Sequence, residues 1–181
     1  MNDKRRTHVS KFLSLHLRHQ PEALGLTLAA GGWVEVDALL AACTRHHFLI
    51  TRAELDEVVV TSDKQRFAFD PSGTRVRANQ GHSTAVDLQL EPVPPPDVLY
   101  HGTTVGNLGV IREKGLQKMA RHHVHLSSDV PTARSVGARH GLPVVLAVDS
   151  AALARDGFAF YRSANGVWLV DHVPPEYLQV L

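Results

Sequence analysis

The sequence predicts an α+β protein of two lobes, and three observations carry that prediction. The segment Glu91-Pro92-Val93-Pro94-Pro95-Pro96-Asp97 divides the chain into halves of similar size, and a run of prolines continues neither a helix nor a central strand. Before it, apolar residues recur at helical spacing and lead into a hairpin signature. After it, short β-prone runs alternate with helical stretches. Lobes are therefore expected at 1–91 and 97–181, joined by a stiff extended linker.

In the first half, Val9, Phe12, Leu13 and Leu17 share one helical face, and Pro21 closes that helix. Gly31-Gly32 starts a turn into a short strand, Trp33 to Val36. Asp37 is the expected N-cap of a second helix that buries Leu39, Leu40 and Cys43. Thr51-Arg52-Ala53-Glu54 is a capping-box pattern opening a third helix through Leu55, Val58 and Val59. Arg66 to Phe69 and Thr74 to Arg77 flank Asp70-Pro71-Ser72-Gly73, a turn sequence, and so predict a hairpin. Helices followed by a β-hairpin are in winged-helix-like order, an analogy of fold and not of function.

In the second half, Val98 to His101, Val124 to Leu126, Pro143 to Val148 and Val167 to Val170 read as strands. Helices are expected from Thr104 to Lys114, ending at Gly115, and from Ser128 to His140, ending at Gly141. No Gly-rich phosphate loop of the dinucleotide-binding or nucleoside-triphosphatase kind is present.

Composition narrows the function classes. Cys43 is the only cysteine among 181 residues, so neither an internal disulfide nor a cysteine zinc cluster can form. No apolar run is long enough for a membrane span, and the start lacks the apolar stretch of a signal peptide, so a cytoplasmic monomer is expected. A net charge of +1 argues against coating nucleic acid by bulk electrostatics. RNA, if bound, must be held by a few placed cations. The 12 histidines are many for this length and supply acid/base groups, phosphate partners or metal ligands.

Several motifs stand out. Arg18-His19 ends the first helix, where cations suit the macrodipole whether or not they act chemically. Arg77-Ala78-Asn79-Gln80-Gly81-His82-Ser83 leaves the hairpin with a density of hydrogen-bonding side chains unusual for a connection, suited to phosphate or ribose. Leu99-Tyr100-His101-Gly102-Thr103 is a strand running into a glycine and a threonine, a place where backbone meets ligand or where a core histidine is merely satisfied. His123 and His125 would share one face of a strand, and His16 and His19 one side of a helix. No Asp, Glu or Cys stands at ligand spacing beside them, so no metal is expected. Val136-Gly137-Ala138-Arg139-His140-Gly141 closes the set, as a site or as an ordinary helix end.

Taken in order, these stretches, together with Leu17-Arg18-His19, His123 through Ser127 and Asn165-Gly166-Val167-Trp168-Leu169, resemble the NAD⁺-dependent RNA (tRNA) 2′-phosphotransferase family. The resemblance spans both lobes, and the run from Arg77 to Ser83 is its most specific part. It implies a winged-helix-like RNA-binding lobe followed by an NAD⁺-binding lobe of the ADP-ribosyltransferase fold. It implies Arg18, His19, Arg77 and Arg139 as the catalytic set, Arg139 fitting the motif better than Arg134. It implies His101, Gly102, Thr103, Ser127, Asn165 and Val167 as NAD⁺-binding groups. Asn79, Gln80, His82 and Ser83 are then expected to bind the RNA.

The implied reaction passes an internal RNA 2′-phosphate to NAD⁺. The phosphate displaces nicotinamide to give a 2′-phospho-ADP-ribosylated RNA. The ribose 2″-hydroxyl then attacks phosphorus, releasing 2′-OH RNA and ADP-ribose 1″,2″-cyclic phosphate. A phosphate monoester is already largely dianionic, so it needs no base to become a nucleophile. This agrees with Gly166-Val167-Trp168, where protein-modifying ADP-ribosyltransferases carry a glutamate. Crowded phosphate charge calls for a guanidinium clamp, and His19 is expected to assist the second step as acid or imidazolium. Two rivals stand beside this reading: an ADP-ribosyltransferase that modifies terminal phosphates of nucleic acid, and a non-catalytic winged-helix nucleic-acid binder.

Overall fold

The computed structural model describes residues 1–62 and 64–181 and shows a mixed helix-and-strand chain that divides into two compact units, Met1–Gln89 and Leu90–Leu181.

The first unit begins with helix α1 (Asp3–Arg18), whose N-cap Asn2 accepts a hydrogen bond from the Arg5 amide. Its buried stripe is Val9, Leu13, His16 and Leu17, the spacing that places residues on one face. The helix stops at Arg18, before Pro21 starts a 3-10 turn. Strand β1 (Val34–Glu35) leads directly into α2 (Val36–Arg45). Asp37 is not the N-cap of α2. Glu35 holds that position without a side-chain hydrogen bond, and Asp37 lies in the first turn, where its charge still favours the helix N-terminus.

Helix α3 (Arg52–Thr61) opens with the expected capping box: Glu54 N–H donates to Thr51 Oγ1 and Thr51 N–H to the Glu54 carboxylate. Arg5 of α1 also bonds Glu54, with Nε 2.9 Å from Oε1. Strands β2 (Phe67–Phe69) and β3 (Arg75–Ala78) form the hairpin, and the sheet order is β1-β3-β2. Asp70 organises its turn, taking the Arg75 N–H at 3.0 Å and the Ser72 hydroxyl at 2.8 Å.

In the second unit, β4 (Val98–Thr104) is longer than the sequence suggests, because α4 (Leu108–Lys114) starts only after a 3-10 turn at Val105–Asn107. Then come β5 (Leu116–Gln117), β6 (Val124–Leu126) and α5 (Val130–Gly137). Helix α5 is shorter at both ends than expected. Asp129 caps it by accepting from the Thr132 amide, Pro131 fits its first turn, and it ends at Gly137, a poor helix residue, three positions before His140. The chain continues through β7 (Pro143–Asp149), α6 (Ser150–Arg155), β8 (Phe160–Arg162), β9 (Trp168–Val170), β10 (His172–Val173) and β11 (Leu178–Val180).

The sheets of this unit are ordered β11-β7-β4, β6-β9-β8 and β10-β5. Mutual backbone bonds between Tyr100 and Ser127 join β4 to the end of β6. Leu99, Leu126, Leu146, Phe160 and Leu169 are buried to 2% exposure or less. The proline segment is not a free linker at its start. Pro92 bridges to Tyr161, and the Val93 N–H donates to the Phe160 carbonyl at 2.8 Å, so it is docked on the second unit. Among the described residues no helix is long and apolar enough to cross a membrane.

Candidate active site

In the first unit the polar loop after β3 folds back on the end of α1. The amides of Ser83 and Thr84 both donate to the Arg18 carbonyl, at 2.9 and 3.2 Å. A helix end leaves its last carbonyls without intrahelical donors, so α1 offers an acceptor and the loop closes on it. That clasp sets the side chains. The Ser83 hydroxyl lies 2.8 Å from His19 Nδ1. The Arg18 guanidinium lies over the Phe67 ring, 5.9 Å from its centroid, and Phe67 is paired across the hairpin with Ala78, next to Arg77. Arg18, His19 and Ser83, all read from the sequence, thus come to one region, and Arg77 stands on β3 at the root of the same loop, its side chain on the strand face opposite to Phe67.

The Arg77 guanidinium is half-buried. It lies 4.4 Å from the Trp33 ring centroid, and Nη1 donates to the Gly31 carbonyl at 3.3 Å. Desolvation pushes its pKa below the ordinary value. No protein acceptor among the described residues meets its buried Nε.

The rest of the loop is unequally exposed. His82 is fully buried, and a Cβ at Gly32 would stand 3.2 Å from its Nε2. Asn79 is 9% exposed and its amide donates to the Gln65 carbonyl at 2.6 Å. These two side chains face the interior and hold the loop, while Gln80 is half-exposed and Ser83 exposed.

In the second unit the other predicted residues are gathered by backbone pairing. Along β4, His101, Gly102 and Thr103 oppose Leu146, Val145 and Val144 of β7. The Tyr100–Ser127 bridge brings Ser127 alongside, and one step beyond the Leu126–Trp168 pair of β6 and β9 lies Val167. His101 is half-buried, and its Nδ1–H donates to the His125 carbonyl at 3.0 Å. A carbonyl can only accept, so this bond fixes the proton on Nδ1. Burial first, with Arg121 adding to it, holds His101 below its ordinary pKa despite that bond. The ring is therefore neutral near pH 7, with Nε2 as an acceptor.

Asn165 and Val167 form the β8–β9 turn with a residue that sequence reasoning did not select. Ser163, 4% exposed, donates to Asn165 Oδ1 at 2.7 Å and accepts from the Val167 N–H at 3.0 Å. Gly102 also has a reason the sequence did not disclose. A Cβ there would lie 1.7 Å from the Ala133 carbonyl oxygen of α5, and one at Gly137 would lie 2.5 Å from the Thr103 carbonyl oxygen. The glycine is required by helix-on-strand contact. Arg139 is exposed on the turn following α5, as is Arg134 on the helix itself, so exposure does not choose between them. Thr103 is buried and its hydroxyl accepts from Asn107 at 3.2 Å. Among the described residues no group of three or more His, Cys, Asp or Glu side chains is arranged to hold a metal ion.

The aromatic supports Trp33 and Phe67 were also missed. Their only signal in the sequence was Gly31-Gly32 beside an aromatic, and alternation in Phe67-Ala68-Phe69, both of which read as ordinary strand chemistry.

Guanidinium and imidazole groups gathered in this way suit a highly charged oxyanion, which places the protein in the class of enzymes that handle phosphate esters. Comparison with known proteins gives the particular family. The model of the RNA 2′-phosphotransferase, Tpt1 / KptA family, matches residues 4–172, and the chain belongs to that family of enzymes. A probable RNA 2′-phosphotransferase of Nostoc punctiforme is 62% identical over 179 residues, covering 99% of each chain. Its counterpart in Streptomyces coelicolor is 59% identical over 179 residues, covering 99% of this chain and 97% of that protein. One in Flavobacterium johnsoniae is 48% identical over 179 residues, covering 99% and 98%.

Proposed function

We propose that this enzyme removes an internal 2′-phosphate from RNA by transferring it to NAD⁺, leaving a 2′-hydroxyl on the RNA and releasing nicotinamide and ADP-ribose 1″,2″-cyclic phosphate. The observation that carries the reading is the clasp of the loop that follows Arg77 on the end of α1, which brings Ser83 against Arg18 and His19. Family membership across residues 4–172 supports the RNA 2′-phosphate as substrate. In this reading the first unit is the winged-helix-like RNA lobe and the second the ADP-ribosyltransferase-like NAD⁺ lobe.

The residues fit these roles. Arg18 and Arg77 neutralise the 2′-phosphate, as planar guanidinium groups do for crowded phosphate oxygens, and Arg139 is an exposed cation of the second unit. His19, with Nδ1 engaged by Ser83, gives a proton from its other nitrogen to the departing RNA oxygen. NAD⁺ supplies the electrophilic ribose carbon, and the residues that would hold it are His101, Thr103, Ser127 and the Asn165–Val167 turn. The donor set suits a ribose: neutral His101 offers a ring-nitrogen acceptor to a hydroxyl, and the turn around Ser163 is preorganised by its own hydrogen bonds. His82 and Asn79 shape the loop rather than touch the phosphate.

The test is direct. The protein is incubated with a 2′-phosphorylated oligonucleotide and NAD⁺, and the products are separated by mass. ADP-ribose 1″,2″-cyclic phosphate with 2′-OH RNA is expected. RNA that ends permanently ADP-ribosylated on a terminal phosphate would replace this reading with the alternative transfer.

A further inference from the structure

Resting on the reading of Arg77 as a phosphate-binding group, we infer that Trp33 is the positioning residue of Arg77, holding its guanidinium in place without neutralising its charge. Buried arginines are ordinarily fixed by a carboxylate. Arg75, two positions earlier and exposed, has one: its Nε lies 3.2 Å from Asp70, and its guanidinium also lies over the Trp33 ring, farther off at 5.6 Å from the centroid. Among the described residues no carboxylate pairs with Arg77. An indole face at 4.4 Å and the Gly31 carbonyl hold it instead. The difference matters chemically. A carboxylate at Arg77 would compete with the substrate's phosphate for the same donors. An aromatic face fixes the plane of the guanidinium through its quadrupole and leaves the full positive charge and the N–H edge to the ligand.

The chain around Trp33 is built for this contact. Gly31 has φ +79°, a left-handed conformation favouring glycine, and a Cβ there would lie 2.9 Å from Trp33 Cδ1 and Nε1. Gly31 therefore serves twice, giving the indole its space and presenting the carbonyl that takes Arg77 Nη1. Trp33 touches no substrate in this scheme and acts through Arg77, the nearer of the two guanidinium groups on its ring.

The experiment measures two quantities on full-length Trp33→Leu, Trp33→Phe, Arg77→Ala and the Trp33→Leu/Arg77→Ala double variant. One is the affinity ratio of a 2′-phosphorylated oligonucleotide over the same oligonucleotide without the phosphate, in the absence of NAD⁺. The other is single-turnover phosphate transfer. Trp33→Leu is expected to lower the ratio roughly 10- to 30-fold, the size of a desolvated cation–π contact, while Trp33→Phe keeps most of it. In the Arg77→Ala background Trp33→Leu should add nothing. If Trp33→Leu lacks a cooperative melt, ring-fluorinated phenylalanine at position 33 is compared with Trp33→Phe. It has nearly the same shape but a weak π-face, and should lose the ratio.

A folded Trp33→Leu that keeps the parent ratio, or one whose effect multiplies with Arg77→Ala, overturns the inference. So does equal weakening toward the unphosphorylated oligonucleotide, which would make Trp33 a base-stacking surface. Should Arg77→Ala itself keep both ratio and turnover, the reading of Arg77 fails, and that outcome is distinct from a silent Trp33→Leu beside a crippled Arg77→Ala.

Discussion

The two units fix their candidate residues by different means. In Met1–Gln89 each group is held by a side chain: Arg18 over Phe67, His19 against Ser83, Arg77 on Trp33. In Leu90–Leu181 the Asn165–Val167 turn is held by the Ser163 side chain, but the groups along β4 and at Ser127 are set by backbone. His101 to Thr103 lie in a ladder with β7, Ser127 is bridged to Tyr100, and α5 is seated on β4 through glycines with no side chain between them. Side-chain supports can be weakened one at a time, because each is a separate contact of modest energy. A backbone support is shared by a whole strand, so a single added methyl group disturbs everything on it.

That contrast predicts its largest effect at Gly102. Gly102→Ala puts a methyl carbon 1.7 Å from a backbone oxygen that no rotamer change can move. A loss of about 3 kcal/mol or more is expected, seen as loss of the second unit's hydrogen-exchange protection. An unchanged melt would show that α5 can lift from β4, and the contrast would fail.

Arg77→Ala comes next, and its effect should be chemical. Single-turnover transfer is expected to fall about 100- to 1,000-fold, the usual cost of removing one transition-state donor, while the melting temperature stays near the parent's because a desolvated cation has been removed. Equal losses of activity and stability would make Arg77 a structural residue. Ser83→Ala should slow transfer by about tenfold, the worth of one hydrogen bond. It should also redistribute the His19 tautomers read by ¹⁵N chemical shifts. If the imidazole spectrum did not change, Ser83 would not be orienting the ring.

The smallest effect is one of pH and concerns the scaffold of the first unit. Hydrogen bonding by Arg5, then by the Thr51 N–H, lowers the Glu54 pKa to about 2. A depressed carboxylate stabilises the fold fully above its unfolded pKa and loses that contribution as pH falls through the folded value. Glu54→Gln should therefore be less stable than the parent near neutral pH, and urea melts should converge as pH falls below about 4 toward 2. A gap that persists at pH 2 would mean that shape, not charge, is what Glu54 contributes.

How far the sequence could be read follows the same division. The capping box at Thr51–Glu54, the hairpin around Asp70–Gly73 and the stripe of α1 were legible because the physics that forms them is local. The N-cap of α2 and both ends of α5 were misjudged by a few residues, since several neighbouring positions satisfy a helix end almost equally well. Strands β5, β8, β10 and β11 and helix α6 were not anticipated. Most are short, and the strands exist only through partners far away in the chain, as with Leu178 opposite Val148. For the candidate site, Arg18, His19, Arg77, Ser83, His82 and Asn79 were all named from their motifs, but the burial of His82 and Asn79 was not legible there.

By itself the amino-acid order determined the polar and cationic residue types, their order along the chain and the family to which they belong, because those properties reside in residues taken singly or in short runs. Which loop residues turn inward, why Gly102 must be glycine, where the proton sits on His101 and that Trp33 underlies Arg77 were decided only by folding. Each depends on a distance between atoms well separated along the chain, and only packing sets that distance.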